Sequence, residues 1–242
     1  MKYVNVDYTV RYENVDNYNR LTMKGFLGYL VSAGSLHSDI AGYGLDDIPH
    51  THVAWVVLNW KLNILSYPKT GDKIHIKTWC RNCSKLYTYR DYEISDEFGN
   101  IIAIASSKWT LIDTETKKLA PITADIIASY SPVERSVFNT EIPKIKETTI
   151  TPSNIFDYTI LRRDLDTNQH VNNLNYIDFA IEALPNNVYD HLSFSNIDVM
   201  YKKQCLLGDK IRCLYSYSNN NEHIITIKSA DLSTLHAIVI LS

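Results

Sequence analysis

The sequence predicts an α+β chain in which one layout, a helix followed by antiparallel strands, occurs twice. Three observations carry this. Two segments place apolar residues at helical spacing, β-rich alternating stretches follow each of them, and the tetrapeptide Gly71-Asp72-Lys73-Ile74 returns 137 residues later as Gly208-Asp209-Lys210-Ile211.

The first helix is expected from about Leu21 through Leu36, with Phe26, Leu27, Leu30 and Val31 on its apolar side. Lys73 to Trp79 and Tyr87 to Ile94 then read as strands. Residues 129–151 hold Pro132, Pro143 and mixed charge without steady periodicity, which suits a connection crossing between halves. A second helix is expected over Asn172 to Leu184, where Leu174, Ile177, Ala180, Ile181 and Leu184 share one face and Pro185 stops the run. His223 to Ile227 is again strand-like. The expected organisation is a first domain over 1–128, a linker over 129–151 and a second domain over 152–242.

The 242 residues carry a net charge of −3, with no basic stripe of the kind nucleic-acid binding needs. No apolar run reaches the roughly 18 residues of a membrane span, and the first residues have neither signal-peptide nor transit-peptide character. A soluble cytoplasmic protein is the expectation. Cys80, Cys83, Cys205 and Cys213 are too scattered for a disulfide framework, and Cys80-x-x-Cys83 lacks the second pair that a zinc site needs. His50 and His52 have no acidic neighbour in the sequence. Neither a metal nor a cofactor is expected.

The densest polar stretch is Arg162 to Tyr176, RRDLDTNQHVNNLNY. Asp164, Asp166, Thr167 and Asn168 favour turns and helix caps, because short polar side chains hydrogen-bond nearby backbone. The cluster therefore falls at a helix start, where unpaired N–H groups favour an anion, including the oxyanion of acyl transfer. A cap accounts for one of these residues and contributes about 1 kcal/mol. It does not account for His170 in the same turn, nor for Asn172 and Asn173 together.

The pattern Asp166, Asn168, His170, Val171, Asn172, Asn173 and Tyr176 resembles the signature of the acyl-acyl carrier protein thioesterases. Ala54 to Trp79, Ala105 to Ile122 and Asp198 to Ile211 resemble further segments of that family in the same order. The resemblance covers nearly the whole chain. It implies two tandem hotdog domains, each a long helix wrapped by a curved antiparallel sheet, the first holding the acyl chain and the second the catalytic motif. It also implies hydrolysis of acyl-acyl carrier protein to free fatty acid during fatty acid synthesis. Family members in plants carry an organelle-targeting segment, so a bacterial cytoplasmic enzyme is the expected case.

On that resemblance Asp166 activates water or attacks the thioester, Asn168 and His170 hold the reacting groups, and backbone N–H groups near Asn172 and Asn173 are oxyanion donors. The family completes its catalytic group with a Glu followed by Cys on a strand. Here the positions are Gln204 and Cys205, and an amide accepts no proton at neutral pH. Cys205 is expected to pack, with a Cys205–His170 nucleophilic pair as the less favoured mechanism. The partner is acyl carrier protein bearing a phosphopantetheine-linked acyl chain. It is acidic, so Arg162, Arg163, Lys202 and Lys203 are docking candidates, with Arg81, Lys85 and Arg90 behind them. Phe26, Leu27, Leu30, Val31 and Trp60 fit either a tunnel lining or a core. Competing readings are an acyl-CoA thioesterase, a hotdog dehydratase and a non-catalytic acyl-binding or regulatory protein. A homodimer is compatible with each.

Overall fold

The computed structural model describes residues 1–190 and 194–242, with Asn82 and Cys83 described by backbone alone. The chain divides into two compact units, Met1–Ile142 and Pro143–Ser242.

In the first unit, β1 (Val4–Thr9), β2 (Val53–Ile64), β3 (Lys73–Cys83), β4 (Thr88–Asp96) and β5 (Ile101–Asp113) form an antiparallel sheet in the order β1-β3-β4-β5-β2. The short β6 (Leu119–Ala120) pairs with β5. Helix α1 (Met23–Ala41) lies against β3 and β1. Two shorter helices, α2 (Ile48–Thr51) and α3 (Ala124–Tyr130), complete the unit.

α1 is longer than its apolar pattern indicates because its ends are set by caps. The Thr22 hydroxyl accepts the Gly25 N–H at 3.0 Å, and Gly42 closes the helix at φ 78°. The helix contains Gly25, Gly28 and Gly34, each costing about 1 kcal/mol relative to alanine. Packing outweighs them. Leu27, Leu30 and Phe26 are at most 1 % exposed, and each buried side chain of that size stabilises by about 1.5–3 kcal/mol. Two of the glycines also permit close approach. A Cβ on Gly25 would stand 2.6 Å from Leu21 Cδ1 and 2.9 Å from the Asn14 carbonyl, and one on Gly34 would stand 2.9 Å from the Tyr92 hydroxyl.

The second unit repeats the plan. β7 (Asn154–Thr159), β8 (Asn196–Tyr201), β9 (Lys210–Tyr217), β10 (His223–Ser229) and β11 (Leu235–Leu241) run antiparallel in the order β8-β11-β10-β9-β7. α4 (Asn175–Glu182) lies against β11 and β7, and one further turn, α5 (Asn186–Tyr189), follows Pro185. α4 is shorter than the sequence pattern. It starts at Asn175 rather than Asn172, because the Asn172 N–H donates to the Asp164 carbonyl and Asn172 Oδ1 accepts the Leu174 N–H.

The repeated tetrapeptide is a repeated turn. Gly71 and Gly208 sit at φ 90° and 83°, and their N–H groups bond the carbonyls of Val10 and Ile160. A Cβ would meet nothing within 4 Å at either glycine, so backbone conformation rather than space requires them.

Candidate active site

The polar stretch folds into a closed loop between β7 and α4. A single 3₁₀ turn, Arg162–Asp164, opens it, and the buried Asp164 carboxylate accepts the Leu161 N–H at 2.7 Å and the Tyr158 hydroxyl at 3.0 Å. Asp166 then folds the chain back on itself. Its N–H donates to the His170 carbonyl at 2.8 Å, and its Oδ1 accepts the N–H of Asn168 at 2.8 Å and of His170 at 3.4 Å. Gln169 takes the left-handed conformation, φ 63°, that this reversal demands. Val171 leaves the loop by donating its N–H to the Cys205 carbonyl at 3.0 Å.

That last bond brings the Gln204 side chain to the loop. Its amide nitrogen stands 3.0 Å from His170 Nε2. An amide serves either imidazole tautomer: its N–H donates to an unprotonated ring nitrogen, or its carbonyl accepts from a protonated one. A carboxylate there could only accept. Gln204 and Cys205 lie in the loop after β8, which ends at Tyr201, and not on a strand as expected. Gln204 is exposed and Cys205 fully buried.

The first unit contains the same loop around different side chains. Asp16 N–H donates to the Arg20 carbonyl at 2.8 Å, and Asp16 Oδ1 accepts the N–H groups of Tyr18 and Arg20, both at 2.9 Å. Asn19 is left-handed at φ 58°, and Leu21 N–H bonds the Pro68 carbonyl at 2.8 Å. Asp16, Arg20, Phe26, Tyr67 and Pro68 thus occupy the places of Asp166, His170, Tyr176, Gln204 and Cys205. The two loops differ at the second carboxylate oxygen. Asp16 Oδ2 is bound by the Arg20 guanidinium through Nε at 3.0 Å and Nη2 at 2.9 Å. With histidine in place of that arginine, Asp166 Oδ2 takes no hydrogen bond among the described residues. The signal for this duplication is Tyr8-Thr9-Val10 against Tyr158-Thr159-Ile160 with Asp16 against Asp166; sequence reading missed it.

The turn thus gathers Asp166, an exposed Asn168 side chain and His170, and the His170 ring meets Gln204. The Asn172 N–H is already bonded, so it serves the helix start. The Asn173 N–H has no partner among the described residues and remains as a donor, while its carbonyl accepts the Tyr201 hydroxyl at 2.9 Å. The Cys205 thiol is fully buried and burial pushes it up to about 11, so it stays protonated near neutrality. It lacks the character of a nucleophile.

Arg162, Arg163, Lys202 and Lys203 are exposed, and Arg163 reaches the Tyr158 hydroxyl at 3.5 Å. Arg90 is a correction. Only 7 % exposed, it donates to His37 Nδ1 at 2.8 Å and to the Thr78 hydroxyl at 3.3 Å, and so is not a docking residue. Arg81 is half-buried beside Asp91 and donates to Ser136, whereas Lys85 is exposed. Phe26, Leu27, Leu30 and Trp60 are buried, and Val31 only half so. His52 has an acidic neighbour after all, with Nδ1 3.3 Å from Glu115 Oε1. One histidine and one carboxylate, both exposed, are too few ligands for a metal. The Cys80-x-x-Cys83 motif, expected to hold no metal, falls partly outside the described side chains.

Two helix-on-sheet units, the second carrying a carboxylate–amide–imidazole turn, define a tandem hotdog protein with one intact polar site. Residues 2–130 match the acyl-ACP thioesterase N-terminal domain and residues 147–240 the acyl-ACP thioesterase C-terminal domain. The chain belongs to the acyl-ACP thioesterase family. It is 27 % identical over 230 residues to oleoyl-acyl carrier protein thioesterase 1, chloroplastic, of Arabidopsis thaliana, a match spanning 86 % of this chain and 62 % of that protein. It is 29 % identical over 210 residues to an acyl-[acyl-carrier-protein] hydrolase of Cuphea viscosissima, spanning 84 % and 49 %. The chain therefore spans under two thirds of these relatives' length. In fold it is similar to an acyl-ACP thioesterase from Bacteroides thetaiotaomicron, with a TM-score of 0.88 at 23 % identity over 99 % of this chain and 96 % of that one. No described helix is long and apolar enough to cross a membrane.

Proposed function

We propose that the protein hydrolyses the thioester of acyl-acyl carrier protein, releasing free fatty acid and holo-acyl carrier protein, in fatty acid biosynthesis. One observation carries the reading. Of two loops with the same hydrogen-bond pattern, the first ties its aspartate to arginine, and the second leaves Asp166 Oδ2 without a hydrogen bond among the described residues, in a turn whose His170 ring meets Gln204. Family membership supports the choice of substrate.

In this mechanism Asp166 Oδ1 maintains the turn while Oδ2 orients and deprotonates a water. The water oxygen adds to the thioester carbonyl carbon, the carbonyl oxygen becomes the oxyanion, and the Asn173 N–H and Asn168 amide donate to it. Collapse breaks the carbon–sulfur bond, and the departing thiolate takes the proton. His170, held by Gln204, donates along that path. Gln204 positions and polarises without changing charge, so Asp166 carries the base role alone. No cofactor enters these steps. Arg162, Arg163, Lys202 and Lys203 form the docking surface for the acidic carrier, because they lie in the two segments that build the site.

The same reading includes a cytoplasmic location, residues 129–151 as the linker, and a homodimer, which light scattering decides. The test is free-thiol release from acyl carrier proteins charged with short, medium and long chains, beside matched acyl-CoA substrates. Turnover preferring the carrier protein supports the proposal. Preference for acyl-CoA replaces the carrier, and acyl binding without hydrolysis by the wild type refutes the enzyme.

A further inference from the structure

We infer that Tyr176 is a positioning residue, which through Cys205 sets Gln204 against His170. Gln204 is exposed and lies outside any regular element, so its own contacts do not fix its backbone. The next residue is pinned at two points. The Cys205 carbonyl accepts the Val171 N–H at 3.0 Å, and its N–H donates to the Tyr176 hydroxyl at 3.2 Å. Tyr176 is itself immobilised at 2 % exposure, edge-on to Phe179 at 5.9 Å and Tyr201 at 5.6 Å. The cysteine's role is therefore that of an anchor.

The first unit supplies the comparison. Its equivalent loop keeps the carbonyl tie, from Leu21 N–H to Pro68. Phe26 there has no hydroxyl and Pro68 no N–H, so the second tie is absent by composition. The loop forms all the same, with matching hydrogen bonds and a left-handed residue, Asn19, at the place of Gln169. The loop backbone of the first unit thus forms without a tyrosine tie, which occurs in the unit whose loop holds the histidine–amide contact. A hydroxyl bonded to the backbone N–H next to Gln204 acts on the geometry of the site. A displacement of about 1 Å at such a group can lower turnover by about 10²-fold.

This inference rests on the hydrolase reading for its kinetic test. Tyr176→Phe keeps the ring and removes the hydroxyl, and Phe26 shows that the position accepts phenylalanine. The expected result is a fall in kcat of about 10- to 100-fold with KM within about twofold. In a Gln204→Ala background the same change should lower kcat by less than about twofold, since the amide being positioned is gone. Unchanged kcat in the single variant, or an undiminished loss in the double variant, overturns the inference. NMR of the His170 ring separates this from the function. Tyr176→Phe should move the ring signals as Gln204→Ala does, whether or not the wild type turns over; unmoved signals overturn the anchor even if hydrolysis stands.

Discussion

Asp166 is assigned two tasks, one per carboxylate oxygen, and substitution separates them. Oδ1 accepts two backbone N–H bonds, one of 2.8 Å and one of 3.4 Å. The long one is weak, so the turn gains about 1–2 kcal/mol from this oxygen. Oδ2 is assigned the base, and losing general-base catalysis lowers turnover by about 10²–10⁴-fold, equivalent to roughly 3–5 kcal/mol of barrier. Asp166→Asn retains an acceptor at Oδ1 and removes the base; Asp166→Ala removes both. The asparagine variant should melt within about 1 kcal/mol of wild type yet lose at least about 10²-fold in kcat, and the alanine variant should lose stability as well. Asp16→Ala is the internal control. It discards two N–H bonds and the Arg20 pair, at about 2–4 kcal/mol, and should leave kcat of the folded protein near wild type. Urea denaturation gives the stabilities, and thiol release gives the rates. Near-normal turnover in Asp166→Asn would refute the base assignment and reduce Asp166 to the turn-forming role of Asp16.

Three shorter predictions follow from neighbouring geometry. His170→Arg should rebuild the first unit's arrangement, with an arginine across Asp166 Oδ2; activity should fall by at least about 10²-fold while the melting temperature holds, and an active variant would contradict the comparison of loops. The Cys205 thiol, raised to about 11, should resist iodoacetamide in the folded protein at pH 7.5 and react only on denaturation; fast labelling accompanied by inactivation would restore the thiol mechanism. Burial and the Arg90 guanidinium depress His37 to about 4, its Nδ1 accepting from Arg90 at 2.8 Å and its Nε2–H donating to the Met1 carbonyl at 3.0 Å. The unfolded chain takes up this proton below about 6.5 and the folded one does not. Its contribution is therefore full above pH 6.5 and declines by about 3 kcal/mol as pH falls to about 4, so urea melts should lose that slope in His37→Gln.

What was legible in the sequence was whatever local pattern encodes. Periodic apolar residues locate α1 and the strands, the Gly-Asp turns announce the repeat, and the Asp166-Asn168-His170 spacing marks the candidate site because one tight turn places all three. The start of α4 was misread because Asn172 is engaged by Asp164, eight residues earlier, which periodicity does not register. Arg90 looks like any surface arginine until the fold buries it between His37 and Thr78. Tertiary structure alone decided that Gln204 meets His170 across 34 residues of sequence, that Tyr176 holds Cys205, and that Asp16 and Asp166 shape the same turn to different ends. Sequence fixes which groups are available within a turn or a strand. Long-range backbone bonds such as Val171 to Cys205 decide which of them face one another, and those depend on pairing between segments that no local pattern records.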